Sequence, residues 1–227
     1  MARERPVHDV EHAVRAVRRD SRRRQVLDAA VAVMQRTGYH EMSMQALAEE
    51  ASVSVGLLYK YFGGKEEILL AAVLDILDSF RDQLAPAMDE AGDDPVERLA
   101  AGFRRYVRII DEDRDAVLLT YRESRTLDPA GRERIKQLEV ETAAPLRAAL
   151  ADGIERGVVR PVDPDLVVYD LMLMAHGWAL KGWHFAPLHT VESFIDAQTA
   201  LLLSALVAPA HRRRYRHLLA PVGFDNT

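Results

Sequence analysis

The stretch SMQALAEEASVSVGLLYKYFGGKEEIL, residues 43–69, decides the fold. Ser43 can cap a short helix running to about Glu50, because a serine hydroxyl accepts a hydrogen bond from an unpaired amide of the first turn. Leu47 and Ala48 lie on the inner face of that helix. Ala51-Ser52-Val53 is a tight connection, and Ser54 can cap a second short helix from Val55 to about Phe62, which Gly63-Gly64 breaks. Lys65-Glu66-Glu67 then opens a longer helix, with acids in the first turn where the helix dipole favours them. Two short helices joined by a tight turn form a helix-turn-helix, whose second helix presents its N-terminal half to the major groove. Leu47, Val53, Leu58 and Phe62 close its small core. Gly56 removes a side chain early in the second helix and permits close approach. Tyr59, Lys60 and Tyr61 carry donors that reach phosphates or base edges.

Upstream, Val26, Leu27, Ala30, Val31 and Met34 recur at helical spacing and bury one face. Gly38 is placed to end that helix in a left-handed conformation. Arg15, Arg18, Arg19, Arg22, Arg23 and Arg24 form a basic cluster interrupted only by Asp20, beginning in a flexible arm over residues 1–20 that leads into the first helix; it reads either as a source of DNA phosphate or minor-groove contacts or as a solvated segment. Downstream, the pattern is helix after helix: about 65–88, 95–110, 112–127, 130–157, 164–184 and 190–207, with a short one after Ala210. Asp93-Asp94-Pro95, Asp128-Pro129, Gly157 with Pro161, Asp163-Pro164 and Pro187 punctuate them. Pro145 should kink or split the helix that contains it. No alternating strand pattern appears, so the fold class is all-α. An N-terminal three-helix helix-turn-helix domain at 21–66 precedes a larger helical ligand-binding and dimerisation domain at 67–227.

The chain of 227 residues has a net charge of −5, which at first argues against nucleic acid. The distribution reverses this. Residues 1–65 hold 11 Lys/Arg against 8 Asp/Glu, so a basic head precedes an acidic body, the asymmetry expected when one part faces phosphates. The absence of cysteine excludes disulfides and thiolate metal sites. No apolar run approaches a membrane span, and the N-terminus is too charged for a secretory signal, so the reading is a cytoplasmic protein without membrane contact. His176, His184, His189, Lys181 and Glu123 are unaccompanied by any HExxH, GxSxG, phosphate-loop or paired-carboxylate pattern, which argues against an enzyme. His184 and His189 straddle Pro187 without regular ligand spacing. The sequence therefore implies no cofactor and no metal.

The string at 43–69 resembles the DNA-binding signature of the TetR family, and the likeness runs from about Val26 to Leu69. Its diagnostic order is the capping serine, two short helices, Gly56-x-x-Tyr59-x-x-Phe62 and a Lys-Glu helix start. The resemblance implies phosphate contacts at Ser43, Tyr59, Tyr61 and Lys65. It implies base or groove contacts at Ser54, Val55, Gly56, Leu57 and Lys60, with Phe62 in the core. It also implies a dimer on a palindromic double-stranded operator. Ser52 departs from the pattern, standing where members often have glycine, so the turn must accept a costlier backbone. Val55 and Leu57 replace positions that are often polar; they can pack on thymine methyls but cannot hydrogen-bond bases.

In the body, LVVYDLMLMAHGWALKGWHF at 166–185 is apolar on most faces and must be buried on most faces. With 190–207 it makes a helix pair suited to a four-helix homodimer interface. TYRESRTLDP, LRAALADGIERGVVRPVDPDLV and AHGWALKGW are similar to TetR-type regulators of lipid or acyl-CoA metabolism. That likeness implies a small hydrophobic or amphipathic effector, such as an acyl-CoA or a fatty acid. Phe103, Tyr106, Val107, Leu119, Met172, Met174 and Trp178 are the candidates to line an apolar tunnel, and Arg122, Arg125 and Lys181 to meet an anionic head group. The whole reads as a ligand-responsive repressor. The alternatives are a regulator of drug efflux that senses aromatic or cationic compounds, and a helical interaction module that never touches DNA. The basic run HRRRYRH at 211–217 reads as a solvated terminal helix.

Overall fold

The computed structural model describes residues 7–220, with side chains from residue 17 onward. Its α-helices are α1 (Val7–Thr37), α2 (Met44–Glu50), α3 (Val55–Phe62), α4 (Lys65–Glu90), α5 (Pro95–Glu112), α6 (Arg114–Glu123), α7 (Pro129–Glu155), α8 (Pro164–Leu180), α9 (Gly182–Phe185), α10 (Val191–Leu206) and α11 (Arg216–Leu219). No strand occurs among the described residues, only an isolated bridge between Val159 and Val207. The all-α expectation holds. Two compact units emerge, one of residues up to Leu74 together with Leu119–Asp128, the other of Asp75–Leu118 and Pro129 onward. The sequence pattern places the division earlier, after residue 66, and does not assign 119–128 to the head. The chain crosses between the units inside α4, inside α6 and a third time between Asp128 and Pro129.

The first unit is built on α1, whose buried face is Val26, Leu27, Ala30, Val33 and Met34. The stretch read as a flexible arm is helical from Val7, continuous with α1; residues 1–6 and the side chain of Arg15 lie outside the described residues. α1 ends where expected: Gly38 has φ 85 and its amide donates to the Met34 carbonyl at 2.8 Å. Ser43 and Ser54 cap α2 and α3, their hydroxyl oxygens accepting from Ala46 and Leu57 amides at 3.0 and 3.2 Å. Between them Ser52 takes φ 50, the one positive-φ non-glycine among the described residues. The amides of Val53 and Ser52 donate to the carbonyls of Ala48 and Glu49 at 2.9 and 3.1 Å, the paired pattern that closes a helix through a left-handed residue. Gln25 of α1 donates to the Ala51 carbonyl at 3.0 Å and ties α1 to this turn.

In the second unit, α5 is central, packing on α7, α8 and α10 through buried Val96, Leu99, Phe103, Tyr106, Val107 and Ile110. The Asp-Pro pairs read as punctuation act as helix starts. The Asp94 side chain accepts from the amides of Val96 and Glu97, and Asp163 accepts from those of Asp165 and Leu166. A proline next to each cap fills the first helical position, where its missing N–H costs nothing. Pro145 does not split its helix: α7 runs unbroken past it, as α4 runs past Pro86. α8 stops at Leu180 instead of reaching 184, because Lys181 leaves helical geometry and Gly182 leaves the space that the Arg114 guanidinium fills. The terminal run HRRRYRH is not simply solvated. Tyr215 is fully buried, its hydroxyl donates to Asp94 Oδ2 at 3.0 Å, and Arg214 pairs with the same carboxylate. Burial beside Asp94 pushes the Tyr215 phenol up to about 12, so it stays a donor.

Candidate functional site

α3 has one buried residue, Leu58, and everything else about it follows from that anchor. At 100° per residue, Gly56 and Lys60 point away from Leu58 and Tyr59 lies to one side. Lys60 is exposed and Tyr59 is 53% exposed. A Cβ added at Gly56 would meet nothing within 4 Å, so the open space there lies outside the protein. Phe62 turns inward and packs on Leu27, Ala71 and Ala72, with the Arg23 guanidinium 5.4 Å from its ring centre. Leu57 and Tyr61, one turn apart, form a flank that faces α1. With Val17, Arg18, Arg19, Ser21, Arg22 and Gln25 they line a groove of about 570 Å³. On the other flank, Val55 and Ser54 border a groove of about 520 Å³ shared with Gln45, Ala48 and Glu49 of α2.

The capping hydroxyls of Ser43 and Ser54 use their oxygens internally, which leaves each O–H free to donate outward. Lys65 is held locally: its Nζ donates to the His40 carbonyl at 2.7 Å and sits 4.6 Å from the centre of the Tyr39 ring. Burial, with Glu66, Glu67 and Glu123 nearby, raises the Tyr39 phenol above its ordinary value. Arg122, read as a cation for a ligand, is engaged within the first unit. It donates to the Met34 carbonyl at 2.9 Å and to Gln35 at 3.3 Å, which finishes the C-terminal end of α1, and it pairs with Glu123 at 2.9 Å. Leu119 is buried and Arg125 is exposed, both in that unit as well.

The remaining effector candidates fall in the second unit. Phe103, Tyr106 and Val107 on α5 and Met172 and Trp178 on α8 are buried, Met174 is half-buried, and Lys181 is exposed at the end of α8. The centre of this group includes residues that sequence reasoning does not place there. Tyr106 stacks on Phe80 with ring centres 4.3 Å apart, and its hydroxyl lies 3.2 Å from His176 Nε2. Burial lowers the His176 imidazole to about 4, so it is neutral at ordinary pH. Trp178 donates through Nε1 to Asp111 at 2.7 Å and packs on Phe194 at 5.0 Å. Phe80 falls on the Ile76–Phe80–Leu84 face of α4, so helical spacing alone was a sufficient signal for its burial.

A family profile described as "Bacterial regulatory proteins, tetR family" matches residues 26–72, and one described as "Tetracyclin repressor-like, C-terminal domain" matches 92–181. The chain is 33% identical over 184 residues to the HTH-type transcriptional regulator HbdR of Aromatoleum sp. (strain CIB), covering 81% of this chain and 80% of that one. The chain belongs to the TetR family. As a TetR-family protein it is a ligand-responsive, DNA-binding transcriptional regulator and not an enzyme. It is also 26% identical over 136 residues to the fatty acid metabolism regulator protein of Bacillus subtilis (strain 168), covering 60% and 70% of the two chains. Among solved structures it is similar to the TetR-family regulator PfmR of Thermus thermophilus, with TM-score 0.69 and 28% identity over 81% of this chain and 99% of that one. It is similar too to AibR in complex with isovaleryl coenzyme A and operator DNA, with TM-score 0.67 and 25% identity over 81% and 97%. No helix among the described residues is long and apolar enough to cross a membrane.

Proposed function

We propose that this TetR-family regulator is a repressor that binds a near-palindromic duplex as a homodimer and releases it when a small hydrophobic effector of the acyl-CoA or fatty-acid class binds its second unit. The observation that carries the DNA half is the outward face of α3. Gly56, Tyr59 and Lys60 face solvent there, with the capping hydroxyl of Ser54 at the helix start and that of Ser43 at the start of α2. In this reading Ser43, Tyr59, Tyr61 and Lys65 hold phosphates while Ser54, Val55, Gly56, Leu57 and Lys60 meet the groove. A protein acting on chromosomal DNA works in the cytoplasm.

The effector half rests on the apolar group of Phe103, Tyr106, Val107, Met172 and Trp178, on Lys181 as a cation for a head group, and on similarity to a regulator solved with an acyl-CoA. Effector binding changes operator affinity only if the effector distinguishes two arrangements of the DNA-reading units. The continuous helices α4 and α6, through which the chain passes between units, are the elements that would carry that difference.

Selection of bound duplexes from a random library by the purified protein tests the first half; an enriched inverted repeat is the expected result, and no enrichment even at low salt overturns it. Thermal-shift and release assays with acyl-CoAs, free fatty acids and aromatic cationic drugs test the second. Release by acyl-CoAs is expected, whereas release by aromatic cations alone would replace this reading with a drug-efflux regulator.

A further inference from the structure

The end of α8 and the start of α6 bring together two cations that no carboxylate takes. Trp178, buried near the end of α8, donates to Asp111 at 2.7 Å, and this bond holds the end of α8 against the α5–α6 junction. Arg114 opens α6 three positions after Asp111, and its half-buried guanidinium lies over Gly182. Lys181, the chain neighbour of Gly182, is exposed. Other arginines of this region are paired: Arg104 with Glu192 and Asp196, Arg105 with Glu112, and Arg108 with Glu192. Arg114 and Lys181 form no such pair among the described residues, although Asp113 and Asp115 flank Arg114 in the chain. Asp111 is engaged by Trp178.

A planar ring stands next to these charges. The short helix α9 is fastened by Phe185, whose ring packs on Phe194 at 5.1 Å. Trp183, two residues earlier, lies about 200° away around that helix and is 75% exposed. Its chain neighbour is Gly182, the residue on which the Arg114 guanidinium rests. A ligand that satisfies the whole arrangement carries negative charge and a flat ring together. Inorganic phosphate or a fatty-acid carboxylate has no use for the indole. A nucleotide uses both, its phosphates taking the guanidinium and the ammonium and its base stacking on the exposed ring. Trp178, one turn before Lys181 on α8, belongs to the apolar group that the proposed function gives to the effector's hydrophobic part, so chain and charge would meet α8 one turn apart.

We propose that Arg114, Lys181 and Trp183 seat the nucleotide part of an acyl-CoA: the two cations hold its phosphates and the indole stacks on its adenine. This inference rests on the reading of the second unit as an acyl-CoA sensor and deepens it, because it assigns the discrimination between a CoA thioester and a free fatty acid to the end of α8. Gly182 is a positioning residue. A Cβ there would overlap the Arg114 guanidinium, so the bare backbone is what lets that cation lie beside Lys181.

The test uses the full chain, calorimetric titration with octanoyl-CoA, free CoA and octanoate, and tryptophan emission, with melting and sedimentation to check fold and assembly. Arg114→Ala and Lys181→Ala are each expected to weaken octanoyl-CoA and free CoA about 10- to 100-fold, the range for one lost charge-assisted hydrogen bond. Both should leave octanoate unchanged. Gly182→Ala keeps both charges and only displaces the guanidinium, so it should shift the three affinities in the same pattern. The chain has two tryptophans, and free CoA should quench the exposed one. That quenching is expected to vanish in Trp183→Phe, whose ring still stacks and keeps most of the affinity, whereas Trp183→Ala loses affinity as well. Cation variants that bind octanoyl-CoA as tightly as the wild type overturn this inference and leave the acyl-CoA reading standing. An equal fall for octanoate would make the cations a carboxylate seat and overturn the nucleotide assignment. A Trp183→Ala variant that sediments as a monomer would assign the indole to the subunit contact instead. Should the wild type bind no acyl-CoA, the effector reading fails and this inference falls with it.

Discussion

Ser52 and His176 are each held in a state their residue type resists, and each tells where the fold constrains the chain. Left-handed geometry costs an L-residue about 1–2 kcal/mol. Ser52 accepts it because Val53 and Ser52 amides find the carbonyls of Ala48 and Glu49, which closes α2 at the angle α3 needs. His176 is half-buried against Tyr106 and Phe80, and this desolvation lowers its pKa from 6.5 to about 4. The unfolded chain therefore binds a proton that the folded chain refuses between those two values. Stability from this group is complete above about pH 6.5 and is lost as pH falls toward 4, a difference on the order of 3 kcal/mol. We expect His176→Gln, which cannot titrate, to lose less melting temperature than wild type between pH 7.5 and pH 5. Equal losses in the two proteins would show that the imidazole is not the group responsible.

At the scale of elements, the C-terminal segment acts as a strap on the start of α5. Asp94 caps α5 through two amides and at the same time accepts from Tyr215 and pairs with Arg214, while His217 approaches Glu97 at 2.9 Å. One carboxylate thus ties a helix start to a segment that comes 121 positions later. A hydrogen bond to a charged acceptor contributes about 1.5–3 kcal/mol. Tyr215→Phe keeps the buried ring and removes only this bond, so a loss of roughly that size is expected in denaturant unfolding. Arg214→Ala, whose side chain is largely exposed, should cost under about 1 kcal/mol. If the tyrosine variant proved no less stable than the arginine variant, the strap would be held by packing alone.

For the whole molecule, the telling feature is an apolar surface that one chain leaves open. Leu166, Tyr169, Leu173 and Leu180 recur along one side of α8, and Leu201 is exposed on α10; Leu173 is 60% exposed. Solitary exposed leucines are ordinary, but a continuous stripe on a helix is the mark of a partner surface. In the proposed homodimer this stripe meets its copy. Leu173→Glu should shift the protein from dimer to monomer in sedimentation velocity and weaken binding to a two-fold operator by more than tenfold, with helicity unchanged. A variant that sediments as a dimer at micromolar concentration would place the interface elsewhere.

The sequence by itself determined the helix-turn-helix, because the information there is local. Caps at Ser43 and Ser54, breakers at Gly38 and Gly63, and an apolar residue at each inward position act within a few residues of one another. The all-α class followed from the same short-range periodicity. What the tertiary structure alone decided depends on partners distant in the chain. The pairing of Arg122 with neighbouring Glu123 is legible in the sequence, but its hydrogen bonds to Met34 and Gln35, 88 and 87 positions away, are not. HRRRYRH reads as solvated until Asp94 receives Tyr215. The arm at residues 7–20 reads as irregular because it lacks an apolar face of its own, yet it continues α1 without a break. Residues 119–128 join the first unit although the chain reaches them only after α5. Local pattern specifies which backbone a segment adopts; which donor meets which acceptor, and which apolar face stays open, is settled only when remote segments compete for the same neighbours.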